Sequence, residues 1–156
     1  MNSNNDSTIY ANTDGSCRGN PGKGAWAFTL SRTDEHGNQK RLERSGVVKQ
    51  TTNNQMELMA AIKALEAVKA THPDKPVVVI TDSKYVKDGI TSWIDGWKKR
   101  GWRTASKQPV KNAELWKQLD QLNQSLNVNW EWVKGHSGHL ENSEVDRLAK
   151  SAASSI

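Results

Sequence analysis

One cysteine, one phenylalanine, two tyrosines and four prolines stand among 156 residues, and each scarcity excludes something. A lone Cys17 cannot close an internal disulfide, which fits a reducing compartment and a cytoplasmic location. Apolar runs are short: nothing approaches the roughly 18 residues of a membrane-spanning helix, and mean hydropathy is −0.80. The opening MNSNNDS lacks the basic and apolar regions of a secretory signal, and residues 1–7 are expected to form a disordered tail. There are no internal repeats, low-complexity blocks or linker. Residues 8–156 are therefore expected to fold as a single monomeric domain, large enough to bury roughly 68–70% of its unfolded surface.

Positive charge and tryptophan are what the chain has in plenty. Formal net charge is +5, and seven tryptophans are present. Residues 96–113 hold Lys98, Lys99, Arg100, Arg103, Lys107 and Lys111 without an acid, so the remainder of the chain sums to −1. Trp97 and Trp102 are interleaved with this cluster and Trp93 precedes it. Basic residues mixed with aromatics are the footprint of a phosphate-backbone surface. The ordinary alternative is a solvated helix-and-loop face; the cost of exposing large aromatics without use weighs against it.

Hydrophobic patterning divides the chain clearly. TIYANT (8–13), GAWAFTLSR (24–32) and the weaker QKRLERSGVVK (39–49) read as an antiparallel meander. A helix follows, with Asn54 as its expected cap and Leu58, Ala61, Ile62, Leu65 and Val68 as its apolar stripe. The wholly apolar VVVIT (77–81) suits a buried central strand. Helices are expected over KYVKDGITSWIDGWKK and NAELWKQLDQLNQSL, a strand over VNWEWV, a loop over KGHSGHLEN, and a last helix burying Val145, Leu148, Ala149 and Ala152. This order implies an α/β domain with a mixed sheet.

Four acids stand out against the positive background. Asp14 follows the first strand, Asp82 follows VVVIT, Glu57 opens MELMAAIKALEAV, and Asp146 lies early in SEVDRLAKSAA. Each has an ordinary role to fill. Asp14-Gly15 suits a turn, Asp82 an N-cap, Glu57 a capping box with Asn54, and Asp146 an ion pair with Lys150. Their placement argues for more. Two sit at strand ends, where an α/β sheet collects ligands, and two lie on small-residue helix flanks able to approach the sheet. Like charges held close need cations or raised pKa values. The pattern suggests a metal cage and metal-assisted chemistry on an anionic polymer.

The strings TDGSCRGNPGKGAWA, TTNNQMELMAAIKALEA, ITDSKYVKDGI, WIDGWKKRGW and WVKGHSGHLENSEVDRLA, in this order, resemble type 1 ribonuclease H in its bacterial single-domain form, from about residue 8 to about residue 152. The resemblance implies a mixed five-stranded sheet, three strands antiparallel and the others parallel, with helices on both faces. It implies hydrolysis of the RNA strand of RNA–DNA hybrids by a two-metal-ion mechanism, leaving 5′-phosphate and 3′-hydroxyl ends. Asp14, Glu57, Asp82 and Asp146 match the family's metal-binding acids, and His136 its catalytic histidine, with His139 as a substitute. Mg²⁺, as two ions, is the implied cofactor, with Mn²⁺ as the alternative; hard cations take oxygen ligands, so Asp and Glu are the fitting types. A histidine's near-neutral pKa suits a proton shuttle.

Substrate contacts follow on the same footing. Asn20, Asn53 and Asn54 match the positions that meet RNA 2′-hydroxyls, displayed in the wide, shallow groove of an A-like duplex. Gly15 and Cys17 fall in the same region, Cys17 serving equally well as an inert buried thiol. Thr52, Lys98, Lys99 and Arg100 would hold DNA phosphates, with Trp93 and Trp97 packing on sugars. Four positions depart from the family pattern. Lys84 stands where many relatives carry Gln, placing a cation beside Asp82; Asn12, Arg18 and Gln108 replace an apolar residue, an aliphatic and a lysine. Rival classes are a non-catalytic hybrid- or RNA-binding module, whose mark would be a lost acid, another polynucleotidyl transferase of this fold, which would lack TTNNQMEL and WKKRGW, and a purely structural domain.

Overall fold

A computed structural model describes residues 8–134 and 140–154. Five strands form one sheet in the order β3-β2-β1-β4-β5. β1 (Ile9–Arg18), β2 (Gly22–Thr33) and β3 (Gln39–Thr51) make the antiparallel meander; β4 (Val77–Thr81) and β5 (Val128–Trp132) add in parallel. The chain expected to stop at Thr13 continues to Arg18, because β2 pairs with it as far as Arg18↔Lys23. Asp14 is thus inside a strand and not at its end. The parallel ladder of β1 with β4, however, stops at Thr13↔Thr81. Asp14 and Asp82 are each the next residue beyond it.

Strand alternation sends successive side chains to opposite faces. Ile9, Ala11, Phe28, Leu30, Val77 and Val79 pack in one core with Leu58, Ala61, Ile62, Leu65 and Val68 of α1 (Asn53–Thr71) and with Trp116 and Leu119 of α4 (Ala113–Ser125). On the other face Ala27, the register partner of Asp14, meets Val145 and Ala149 of α5 (Leu140–Ser154). The sheet is therefore covered on both sides. β3 is its edge, exposed along most of its length and rich in Lys and Arg, which is how edge strands avoid pairing with other chains.

Three boundaries beyond β1 differ from expectation. Thr52, not Asn54, caps α1: it stays extended and its Oγ1 accepts from Gln55 N at 3.2 Å. The helix over 84–99 is divided into α2 (Lys84–Asp88), a π turn (Gly89–Trp93) and α3 (Ile94–Lys99). The wide turn lies where Gly89 meets the buried Trp116, whose ring a Cβ would approach to 2.1 Å. Finally, α5 begins at Leu140 inside the expected loop, through residues too polar to show a helical period.

Candidate active site

Three elements bring carboxylates to one point. Asp14 comes from β1, Asp82 from the residue after β4, and Glu57 from the first turns of α1; each offers an oxygen within 4.8 Å of the others'. Gly15 makes this approach feasible. Its backbone N–H donates to Glu57 Oε1 at 3.0 Å, and a Cβ there would collide with the backbone of Met56 and Glu57. Glu57 therefore serves β1 and closes no capping box. Ser83, not Asp82, caps α2 by accepting from Val86 N at 3.1 Å, which leaves the Asp82 carboxylate without that ordinary role.

The electrostatics match this crowding. Asp14 is 2% exposed and Glu57 6%. Burial, then the Glu57 charge, then a hydrogen bond with Asp146 and the charges of Asp82 and Asp146 push the Asp14 carboxyl far above its usual range. Burial and then Asp82 push Glu57 up, against the opposing Gly15 N–H. Asp14 Oδ2 is buried without a hydrogen-bond partner. An all-oxygen, convergent donor set with an orphaned carboxylate oxygen fits a hard divalent cation such as Mg²⁺.

The fourth acid stands slightly apart. Asp146 is close enough to Asp14 to help push its carboxyl up, and its Oδ2 lies 3.0 Å from Lys150 Nζ one turn along α5. Lys84 does not direct its ammonium at the Asp82 carboxylate as its position suggests; Nζ lies over the Trp132 ring, 4.8 Å from the centroid. Trp132 in turn donates Nε1–H to the Asp82 carbonyl at 3.0 Å, fixing the backbone that carries the acid. His136 and His139 lie outside the described residues.

The residues expected to meet substrate gather in two places. Asn20 Oδ1 accepts from Asn53 N at 2.9 Å, tying the β1–β2 turn to α1. Asn20, Thr52, Asn53 and Asn54 line a polar cavity of about 500 Å³ with Gln55, Lys111 and Asn112. Gln55 and Asn112 do not stand out in the sequence, and Lys111 does so only as part of the basic segment. Gln55 Nε2 donates to Asn112 Oδ1, and Asn112 Nδ2 to the Tyr85 hydroxyl, each at 3.1 Å. Cys17 is half-buried, its thiol directed at the Thr51 carbonyl at 3.4 Å.

The second place is the basic protrusion. Trp93 is 42% exposed, whereas Trp97 is packed between Trp93 and Trp116. Lys99 and Arg100 are exposed; Lys98 pairs with Asp120 of α4 at 2.8 Å.

An α/β sheet that gathers acids just beyond the last pair of a parallel ladder, with a third from the facing helix, defines a metal-dependent class of α/β enzyme. Within that class the chain belongs to the RNase H family: the family's sequence model, RNase H, matches residues 4–154. It is an enzyme of the endonuclease type. It is 54% identical over 142 residues to the ribonuclease H of Paracoccus denitrificans (strain Pd 1222), covering 91% of this chain and 90% of the relative. The ribonuclease H of Maricaulis maris (strain MCS10) is 53% identical over 144 residues, 92% of each chain. Among solved structures, LC9-RNase H1, a type 1 RNase H with the type 2 active-site motif, superposes with a TM-score of 0.87 at 32% identity, over 96% of this chain and 73% of that one. LC11-RNase H1, solved in complex with an RNA/DNA hybrid, gives 0.69 at 25% identity, over 94% and 97%.

Proposed function

We propose that this protein cuts the RNA strand of RNA–DNA hybrids internally, leaving 5′-phosphate and 3′-hydroxyl ends. The observation that carries this is the convergence of Asp14, Glu57 and Asp82, with an unpartnered Asp14 oxygen, in a chain of the RNase H family. Two Mg²⁺ ions, or Mn²⁺ in their place, held by these acids and Asp146 would activate water and stabilise charge on the leaving oxygen. The chain's own residues do the rest. Gly15 N–H holds Glu57, Trp132 holds the Asp82 backbone, and His136 moves the proton, with His139 as its substitute.

Strand choice comes from the two flanking surfaces. The cavity amides of Asn20, Asn53 and Asn54 both donate to and accept from 2′-hydroxyls, which only RNA supplies. The DNA strand is held through its phosphates by Thr52, Lys98, Lys99 and Arg100, with Trp93 and Trp97 against its sugars, and Lys84, beside Asp82, is a further phosphate contact. Both surfaces contact backbone, so binding is independent of base sequence. Residues 8–156 act as one monomeric cytoplasmic domain, with 1–7 as its tail.

The test is one end-labelled RNA presented alone, paired with RNA and paired with DNA, each with Mg²⁺ and with EDTA, beside Asp82→Asn. Cutting is expected in the hybrid with Mg²⁺ alone and lost in the variant. Tight hybrid binding without cutting would instead make the protein a binding module. A second expectation concerns the protrusion. Replacing Lys99 and Arg100 with Ala should weaken hybrid binding and flatten the plot of log affinity against log salt by roughly two units, about one per phosphate contact. Lys98→Ala should flatten it less, since Asp120 already engages that ammonium. An unchanged slope in the double variant would place the cluster away from the interface.

A further inference from the structure

Asp146 carries a cation one turn along its own helix, Lys150. Its side chain is 22% exposed, while that of Lys150, reaching in from the surface, is 57% exposed. Asp146 faces Asp14 on one side, and its Oδ2 lies 3.0 Å from Lys150 Nζ on the other. Asp146 dominates the pull on this ammonium, with Asp14 and Asp82 adding to it. Other ion pairs, such as Lys63–Glu66 and Lys117–Glu114, stand on outer helix faces with no such company. Lys84, a second ammonium close to the acids in sequence, is drawn onto the Trp132 ring.

A divalent ion approaching Asp146 meets this ammonium at the oxygen it needs. The two cations repel, and a carboxylate oxygen shared between them serves both poorly. Lys150 can yield easily, because its flexible four-carbon stem is more than half exposed and water satisfies its three donors once it swings out.

We propose that Lys150 competes with a divalent cation for Asp146: it holds the acid's Oδ2 in the metal-free protein and is displaced into solvent when the ion binds. This competition, which rests on the four acids being metal ligands, makes Lys150 a positioning residue that sets how much metal the site requires. An ion pair of this exposure shifts an equilibrium by about two- to fivefold.

Mn²⁺ uptake by the substrate-free protein, followed by the loss of the free-ion electron paramagnetic resonance signal, reads the effect without turnover. Lys150→Met keeps the stem and removes the charge; it should bind Mn²⁺ about two- to fivefold more tightly, and in EDTA it should melt at a lower temperature than the wild type. Lys150→Arg should retain the wild-type affinity, and Lys84→Met should leave it nearly unchanged. Equal affinities for wild type and Lys150→Met would overturn the competition. So would an equal gain in Lys84→Met, which would mean a general field and not a contest for one oxygen. Wild type that takes up no Mn²⁺ removes the metal reading and the competition together, whereas uptake at equal affinity removes the competition alone.

Discussion

Asp14→Asn is expected to abolish hybrid cleavage and, in the same protein, to raise the melting temperature measured in EDTA. Both effects follow from one buried carboxylate. Asp14 is 2% exposed and faces Glu57, Asp82 and Asp146, and its Oδ2 has no hydrogen-bond partner. With Asp14 in its proposed role of metal ligand, its loss should remove several kcal/mol of transition-state stabilisation, roughly a thousandfold or more in rate at a factor of ten per ~1.4 kcal/mol. An amide of nearly the same shape relieves the burial and crowding of charge, about 1–3 kcal/mol in favour of the folded state.

The pH dependence of that gain has a definite sign. In the folded protein the Asp14 carboxyl is pushed up by burial first and by Glu57 second, while in the unfolded chain it titrates near ~3.9. Between those two values the folded state holds a proton that the unfolded state has lost. Stability from protonated Asp14 is thus complete below about pH 4 and drains as pH rises through the folded value. The asparagine has no such proton to lose. The gap in melting temperature between variant and wild type should be small near pH 4 and widen toward pH 8. Saturating Mg²⁺ should narrow it again, since an ion bound only by the folded wild type stabilises that protein by mass action. An Asp14→Asn protein that melts below wild type in EDTA at pH 8 would show that the acids are not crowded.

What the sequence made legible and what it hid divide along physical lines. β4 was found to the residue because a short apolar run has one place to go, the middle of a covered sheet. The stripe of α1 was legible because period is a local property, and the meeting of Asp14, Glu57 and Asp82 because residue type and place along an element are. The cap was not. Thr52 and Asn54 are both good capping types, and Thr52 wins because Thr51 is still paired with Gly22 in β3, which keeps the chain extended until then. Likewise the length of β1 depends on β2, and the π turn coincides with Trp116 packing on Gly89. The residues that complete the site share this character. Trp132 matters through a carbonyl 50 positions away, and Asn112 through Gln55, 57 positions away. Lys150 was visible as the i+4 partner of Asp146, but not as the cation of an acid cluster.

Gly15→Ala carries a large expected penalty for a single added methyl group, and it falls on the site itself. A Cβ at this buried position would stand 2.4 Å from Glu57 N, 2.5 Å from Met56 C and 2.7 Å from Met56 Cβ. Two of these atoms are backbone in the first turns of α1, so no side-chain rotation relieves the clash. The helix must retreat from β1, and it carries Met56, Leu58, Ala61, Leu65 and Val68 of the core with it. Overpacking of this kind costs about 1–3 kcal/mol and occasionally more, and a backbone clash belongs at the upper end. The same retreat breaks the 3.0 Å bond from Gly15 N to Glu57 Oε1 and draws that acid away from Asp14 and Asp82. A displacement of about 1 Å at a reacting centre costs roughly a hundredfold in rate. Gly37→Ala is the matched control: its φ is +81° and nothing lies within 4 Å, so it should cost about 1 kcal/mol of backbone strain and leave cleavage intact. Urea unfolding and single-turnover hybrid cleavage on the two variants separate the cases. Should Gly15→Ala match Gly37→Ala in both, α1 would be free to shift without disturbing the acids, and Glu57 would not owe its place to the missing side chain at Gly15.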